Sequence, residues 1–136
     1  MNTPRGIRDN NPGNIRHSST VWLGESPNQD DPSFVTFTDA VYGIRAIAKI
    51  LLTYNRDGLQ TVSAIISRWA PPSENDTDSY VQAVCGECGT AASNVIDVVA
   101  MLPQLIKAII LHENGYQPYT DEEIQKGIEL ATGIDT

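Results

Sequence analysis

Apolar residues recur at intervals of three and four from residue 38 onward, and this spacing constrains the fold more than any other feature. It is the periodicity of helices that bury one face. The clearest stripe, on the first helix, consists of Val41, Ile44, Ile47, Ala48 and Leu51. Capping residues, Pro and Gly bound the predicted helices, with Thr38 as the expected first cap. These helices span about 38–54, 61–69, a stretch starting at 76 or 77, 103–114 and 120–132.

Residues 1–38 differ from the rest of the chain because Pro and Gly interrupt them repeatedly. Two short stretches, 20–23 and 34–37, carry bulky residues in a strand-like pattern, and a polar loop over 25–33 separates them. We therefore predict a small β-hairpin near the N-terminus. The expected fold class is mainly α (α+β), and a chain of 136 residues is long enough to form a single domain over 1–136.

The charge balance excludes one class of partner. Nine Lys and Arg residues stand against seventeen Asp and Glu, which gives a formal net charge of -8. A protein that binds a nucleic-acid backbone needs clustered cations, so we expect no nucleic-acid partner. No apolar run is long enough to cross a bilayer, and the N-terminus lacks the apolar core of an ordinary signal peptide. We expect no membrane partner, and synthesis in the cytoplasm with any later exit by another route.

The two cysteines, Cys85 and Cys88, form a CxxC pair near the end of a predicted helix. Zinc would need further ligands, but the chain has two histidines only, His17 and His112, which are far apart and singly placed. A redox site would follow a strand in a βαβ unit, and none is predicted. We expect reduced, metal-free thiols and no cofactor. An alternative function, an amidase or peptidase of the cell wall, would need a zinc site or a Cys/His pair, and these four residues are the only candidates for either.

Glu113 is the most informative carboxylate because it ends an apolar helix. The exposed carbonyls of a helix C-terminus disfavour a negative charge, and apolar neighbours disfavour it further, so the protonated acid is favoured. A protonated carboxylic acid is what the cleavage of a glycosidic bond requires. The alternative is a solvent-exposed Glu that the helix end merely tolerates.

The segment Ala108-Ile-Ile-Leu-His-Glu-Asn-Gly115 resembles the helix that bears the catalytic acid in the lysozyme superfamily, including lytic transglycosylases and goose-type lysozymes. The resemblance implies that Glu113 is the general acid. Asn114 stands where those enzymes commonly have Ser, and we also count it as a candidate contact to the substrate.

A second resemblance lies at the other end of the chain. Peptidoglycan glucosaminidases and muramidases of the same superfamily have similar motifs, although there the acid-bearing helix comes first. Here these motifs are Asn-Asn-Pro-Gly-Asn over 10–14, Phe34 with Phe37, Arg68-Trp-Ala-Pro71 and the segment 74–80. A circular permutation of a lysozyme-like helical domain reconciles the orders, and termini that lie close together make it physically cheap. It predicts that Glu113 and Asn11 line one cleft.

The remaining candidate site residues have two interpretations each. Glu74 and Glu25 are candidates for a second catalytic carboxylate, which would make the enzyme a hydrolase. Without one, the 6-hydroxyl of the sugar attacks and leaves an anhydro end. Asn11 and Asn14 could bind a glycan or serve as ordinary turn residues.

Two aromatic residues complete the list of candidates. The hydroxyl of Tyr80 could hydrogen-bond the acid or the sugar. Trp69, on an apolar helical face, is expected in the core.

Taken whole, the chain resembles a family of small phage and prophage proteins often described as virion structural proteins. Arg5-Gly-Ile-Arg8, the segment 10–16, the segment 68–77 and the segment 112–119 carry this resemblance. It implies a phage protein found in the virion, or in the host cytoplasm after synthesis, and it implies phage origin more firmly than an activity. Together with the lysozyme-like resemblance, it predicts action in the cell wall or periplasm. The predicted function is cleavage of peptidoglycan glycan strands, with other virion proteins as further partners. The alternative is a non-catalytic virion structural or cell-wall-binding protein.

Overall fold

Six helices make up the regular structure of the residues that the computed structural model describes, which are 3–73 and 75–133. They are α1 (Arg5–Arg8), α2 (Ala40–Arg56), α3 (Val62–Trp69), α4 (Thr77–Cys88), α5 (Leu102–Asn114) and α6 (Asp121–Thr132). The mainly α prediction is confirmed. None of the helices within these residues is long and apolar enough to span a membrane.

The helices start where side chains can satisfy their first free N–H groups. The side chain of Thr61 accepts a hydrogen bond from the backbone of α3, and Asp76 does the same for α4. Thr120 and Glu123 form the predicted capping box of α6. The first long helix differs from the prediction by one residue, because Asp39 rather than Thr38 caps α2.

The core lies between α2 and the helices that surround it, with α2 against α6 and α4 against α3 and α5. Its fully buried members include Ile44, Ile47, Leu51, Ile65, Leu105, Ile106 and Ile109. Helices α2 and α6 approach closely because α6 has a glycine at the contact. A Cβ atom on Gly127 would lie 2.4 Å from Cγ2 of Ile44.

The predicted β-hairpin is wrong. Instead of two paired strands, the described residues contain two isolated antiparallel bridges, Arg16 with Phe34 and Glu25 with Phe37. The segment 34–37 is extended, but its backbone N–H groups bond to different segments, including Ile15 and Asp9. The other expected strand, 20–23, forms no bridge, and Val21 within it is 85% exposed.

Side-chain amides take the place of the missing strand ladder. The amide of Asn11 donates to the carbonyls of Ile15 at 2.9 Å and Val35 at 2.8 Å, and it accepts from the Ile15 N–H at 2.9 Å. The amide of Gln29 pairs in the same way with both backbone groups of Thr36, at 2.8 and 2.9 Å. An amide side chain has the same donor and acceptor as a peptide group, so it can satisfy extended backbone without a second strand.

Candidate functional site

A cleft of about 350 Å³ opens between the N-terminal segment, α2, α3 and the end of α5. Its volume falls at the small end of the range for ligand sites, roughly 300–1,000 Å³. The lining residues that matter for chemistry are Asn14, Arg16, Phe34, Tyr54, Trp69 and Glu113. Three of them are aromatic, and three are polar or charged.

The carboxylate of Glu113 accepts three side-chain hydrogen bonds in this cleft. Its Oε1 accepts a hydrogen bond from Nδ2 of Asn14 at 2.9 Å. Its Oε2 accepts from the hydroxyl of Tyr80 at 2.8 Å and, more weakly, from Nε1 of Trp69 at 3.4 Å. The donors belong to the N-terminal segment, α4 and α3, so three separate parts of the chain orient one half-buried side chain of α5.

The hydroxyl of Tyr80 keeps its proton and therefore remains a hydrogen-bond donor to Glu113. Its side chain is 2% exposed. Burial, followed by the negative charge of Glu113, raises the pKa of its hydroxyl far above the ordinary tyrosine range. The ring of His112 stacks on the ring of Tyr80, with 3.8 Å between centroids. The imidazole beside the acid in sequence therefore contacts the tyrosine that holds the acid.

Trp69 has two environments. It packs against the core, as expected, and it also lines the cleft. Helix α3 ends immediately after it, and the hydroxyl of Thr77 donates to the carbonyl of Ala70 at 2.6 Å. This bond ties the start of α4 to the end of α3, which fixes the donors Trp69 and Tyr80 relative to each other.

Asn14 reaches Glu113 from a backbone conformation that few residues adopt. Its φ is 52°, in the left-handed region that Asn tolerates better than most side chains. Helix α1 packs directly behind it. A Cβ atom on Gly6 would lie 2.3 Å from Oδ1 of Asn14, 2.7 Å from Oδ1 of Asn114 and 2.8 Å from the backbone oxygen of Asn11, so a side chain there would force these groups to shift.

The other two predicted asparagines hold the chain together. Asn11 is fully buried, and its amide bonds to backbone atoms of Ile15 and Val35 as described above. Asn114 donates to the carbonyls of Pro12 at 2.8 Å and Ile110 at 3.0 Å, which fastens the N-terminal segment to α5. Neither side chain lines the cleft, so in the structure Asn14, not Asn11, shares it with Glu113.

Of the two candidates for a second catalytic carboxylate, Glu25 lies outside the cleft, and Glu74 is not among the residues that the structure describes. Oε2 of Glu25 accepts from the backbone N–H of Trp22 at 2.7 Å, and Glu25 does not line the cleft. Glu74 is outside the described residues, although its neighbour Asn75 lines the cleft. Among the residues that the structure describes, Glu113 is the one carboxylate that lines the cleft.

The cysteines stand apart from this cleft, near the end of α4. Both are free thiols, with Cys85 buried. Burial, with the neighbouring Cys85 and Glu87, raises the pKa of Cys88 to about 11, and burial also raises the pKa of Cys85. No cluster of three or more potential metal ligands occurs within residues 3–73 and 75–133.

Sequence reasoning gave no site role to several residues of the cleft wall, although Arg16, Phe34 and Asn75 fall within motifs noted above. Arg16, Phe34, Tyr54 and Asn75 come from four separate segments, and no short spacing links them. The motif around Trp69 was a usable signal, since Trp69, Ala70 and Pro71 all line the cleft.

This chain is similar to a phage protein along nearly its whole length. The relative is 43% identical over 129 residues, which cover 92% of this chain and 80% of the relative. This chain therefore belongs to the same family of phage proteins. The relative is Protein P5 of Pseudoalteromonas phage PM2. No family model matches the chain. The expected likeness to the lysozyme superfamily has no support in these comparisons.

Proposed function

We propose that this protein is an enzyme that cleaves the glycan strands of peptidoglycan and that Glu113 supplies the proton for the reaction. The observation that carries this proposal is the position of Glu113. It lines an open cleft, and donors from Asn14, Trp69 and Tyr80 fix both of its oxygens. An acid held in one orientation beside bound substrate is what general acid catalysis requires.

The proton of Glu113 passes to the oxygen that joins two sugars. The bond between that oxygen and the anomeric carbon then breaks, and its electron pair stays on the departing sugar. A nucleophile adds to the positively charged anomeric carbon and gives up a proton, which returns Glu113 to its acid form. Tyr80 and Asn14 keep donating to the carboxylate while it is charged, so they stabilise the ion that forms in the first step.

The nucleophile depends on how many carboxylates face the substrate. Attack by water is normally assisted by a second carboxylate. Attack by the sugar's own 6-hydroxyl needs one group that first gives and then takes a proton, and Glu113 can do both. Because Glu25 lies outside the cleft, the residues that the structure describes favour the second route, with anhydro ends on the product.

Three aromatic rings in the cleft fit a carbohydrate substrate. Phe34, Tyr54 and Trp69 each offer an apolar face, and sugar rings present apolar C–H faces that pack against such rings. As a phage protein that meets a host enclosed by peptidoglycan, it would act in the wall or periplasm, with other virion proteins as partners.

The same contacts suit a second function, that of a non-catalytic virion protein. In that case the role of Glu113 would be structural, because its hydrogen bonds connect the N-terminal segment with α3, α4 and α5. The two functions differ in what happens when the acid is replaced.

The test is incubation of purified protein with peptidoglycan, with released fragments analysed by mass spectrometry. We expect wild type to release anhydro-ended fragments, and Glu113→Gln to reduce the rate about a hundredfold or more. Glu129→Gln, a matched change on α6 outside the cleft, should leave the rate unchanged. Reducing ends that disappear in Glu74→Gln or Glu25→Gln would establish hydrolysis with a second carboxylate. Absence of release by wild type would contradict the enzyme and favour the structural protein.

A further inference from the structure

One cation lies in the wall of the cleft that holds Glu113. Arg16 lines the cleft, and its side chain is exposed. Its guanidinium carbon is 5.1 Å from the centroid of the Phe34 ring, which also lines the cleft. A guanidinium over an aromatic face is held in place while its N–H groups stay available at its edges.

The backbone on both sides of this arginine is fixed. Arg16 and Phe34 form an antiparallel bridge. The N–H of Val35 donates to the carbonyl of Ile15 at 3.0 Å, and the N–H of His17 donates to Ser33 at 3.1 Å. The position of Arg16 is therefore set by the fold, in contrast to a long side chain on a mobile loop.

Arg16 differs from Arg5 in its charge partners among the residues that the structure describes. Arg5 lies over the same ring, at 4.5 Å, and its guanidinium is paired with the carboxylate of Asp31. No ion pair of Arg16 occurs among residues 3–73 and 75–133. In a chain with a net charge of -8, a cation in the cleft wall that forms no ion pair with the described residues favours an anionic group of a ligand there.

We infer that Arg16 binds a carboxylate of the substrate and thereby selects peptide-bearing muramic acid over unsubstituted sugar polymers. This inference rests on the proposed function for its substrate class. Every muramic acid carries a lactyl group whose chain ends in carboxylates, whereas chitin has the same N-acetylated rings and no acid. The fork of an arginine side chain matches a carboxylate with two parallel hydrogen bonds. Arg16 would be a specificity residue, with no part in the proton transfer.

Binding measurements test this in the Glu113→Gln background, in which we expect cleavage to be about a hundredfold slower or more. The probes are a peptide-bearing muropeptide tetrasaccharide and chitotetraose, titrated by calorimetry at low salt. We expect the muropeptide to bind about tenfold more tightly, since a hydrogen-bonded charge pair contributes a factor of that order. Arg16→Gln should bring the ratio of dissociation constants close to one, and Arg16→Lys should give an intermediate ratio.

A matched control removes the same charge elsewhere. Arg56 is exposed at the end of α2 and does not line the cleft, so Arg56→Gln should leave the ratio unchanged. Equal binding of the two probes, no binding of either, or a ratio that survives Arg16→Gln would overturn the inference. Wild type that cleaves peptidoglycan but fails these tests retains the proposed function alone. Arg16-dependent binding without any cleavage by wild type supports this inference and contradicts the enzyme.

Discussion

Residues 3–39 and the helical region, residues 40–73 and 75–133, depend on different mixtures of apolar packing and hydrogen bonds. The helical region buries isoleucine and leucine side chains, and its backbone hydrogen bonds lie mostly within helices. The N-terminal region adds Ile15, Val35 and Phe37 to the same core, but it has one four-residue helix, and side-chain amides satisfy part of its extended backbone. Apolar packing tolerates small shifts, whereas a buried amide with three hydrogen bonds does not.

The candidate site lies where these two regions meet. Asn14 of the N-terminal region donates to Glu113, while the neighbouring Asn114 of α5 donates to Pro12. The two bonds run in opposite directions across the same boundary. One of the three donors to the acid therefore depends on how the N-terminal region docks on α5, and the other two depend on the packing of α3 and α4.

The largest expected effect is the loss of the buried amide in the N-terminal region. Asn11→Ala leaves the N–H of Ile15 and the carbonyls of Ile15 and Val35 without that partner. We expect the free energy of unfolding to fall by about 3 kcal/mol or more in urea titrations. Asn55→Ala, which removes one exposed hydrogen bond with Gln60, should cost less than about 1 kcal/mol. Equal losses would remove the contrast between the regions.

The next effect comes from crowding at the boundary. Gly6→Ala places a Cβ atom 2.3 Å from Oδ1 of Asn14. We expect a loss of about 1–3 kcal/mol by thermal unfolding, and slower cleavage because Asn14 is displaced from Glu113. The matched change Gly86→Ala, in α4 with nothing within 4 Å, should raise stability by up to about 1 kcal/mol. A neutral Gly6→Ala variant would show that α1 is not packed as described.

These results bear on what could be predicted from the sequence. The helices were predictable because each carries an apolar stripe and residues that mark its ends, and α2 to α6 are confirmed near the expected bounds. Helix α1 was not, since four residues show no periodicity. The hairpin failed because the alternation around Phe34 correctly indicated extended backbone but carried no information on its partner. That partner was in part the amide of Asn11.

The site was predictable only in part for the same reason. Glu113 could be found from one helix end, whereas Arg16 and Tyr54 reach the cleft through folding over long sequence distances. Asn11 and Asn14 were indistinguishable as members of one motif. The structure separates them, because one is buried among backbone groups and the other reaches Glu113. The predicted roles of these residues in binding substrate stay predictions.

A smaller effect should appear as pH dependence in the N-terminal region. Burial, with the neighbouring Asp31, raises the pKa of Asp9 to about 6, above its ordinary value of 3.8. Between these values the folded chain holds a proton that the unfolded chain has lost, so stability falls as pH rises from about 4 to 6. Asp9→Asn should flatten this decline, by less than about 1 kcal/mol given its partial exposure.

The control for this pH effect is Asp30→Asn, which makes the same charge change at an exposed position in the same region. It should leave the slope between pH 4 and 6 as in wild type. The pKa of Asp31 is shifted in the opposite direction, so its effect on stability has the opposite pH dependence. The guanidinium of Arg5 holds the pKa of Asp31 well below its usual range, so its contribution is lost only as pH falls below about 4. An unchanged slope in Asp9→Asn would show that another group controls this window.

The smallest effect is expected at the cysteines, which lie far along the chain from the boundary between the regions. The raised pKa of Cys88, about 11, leaves little thiolate at neutral pH. We expect slow alkylation of the native protein at pH 7.5, and metal analysis without stoichiometric zinc. Zinc that binds in a one-to-one ratio and is lost on Cys85→Ser would contradict this.

The most direct test of the account compares binding with rate in the same variant, Glu113→Gln. The new amide can still accept from Tyr80, and the amide of Asn14 can turn so that its unpaired Oδ1 accepts from the new N–H. The fold and the cleft should therefore survive. For one muropeptide, we predict a dissociation constant within about threefold of wild type and a cleavage rate at least about a hundredfold lower. A rate equal to that of wild type would contradict the role of Glu113 as the acid.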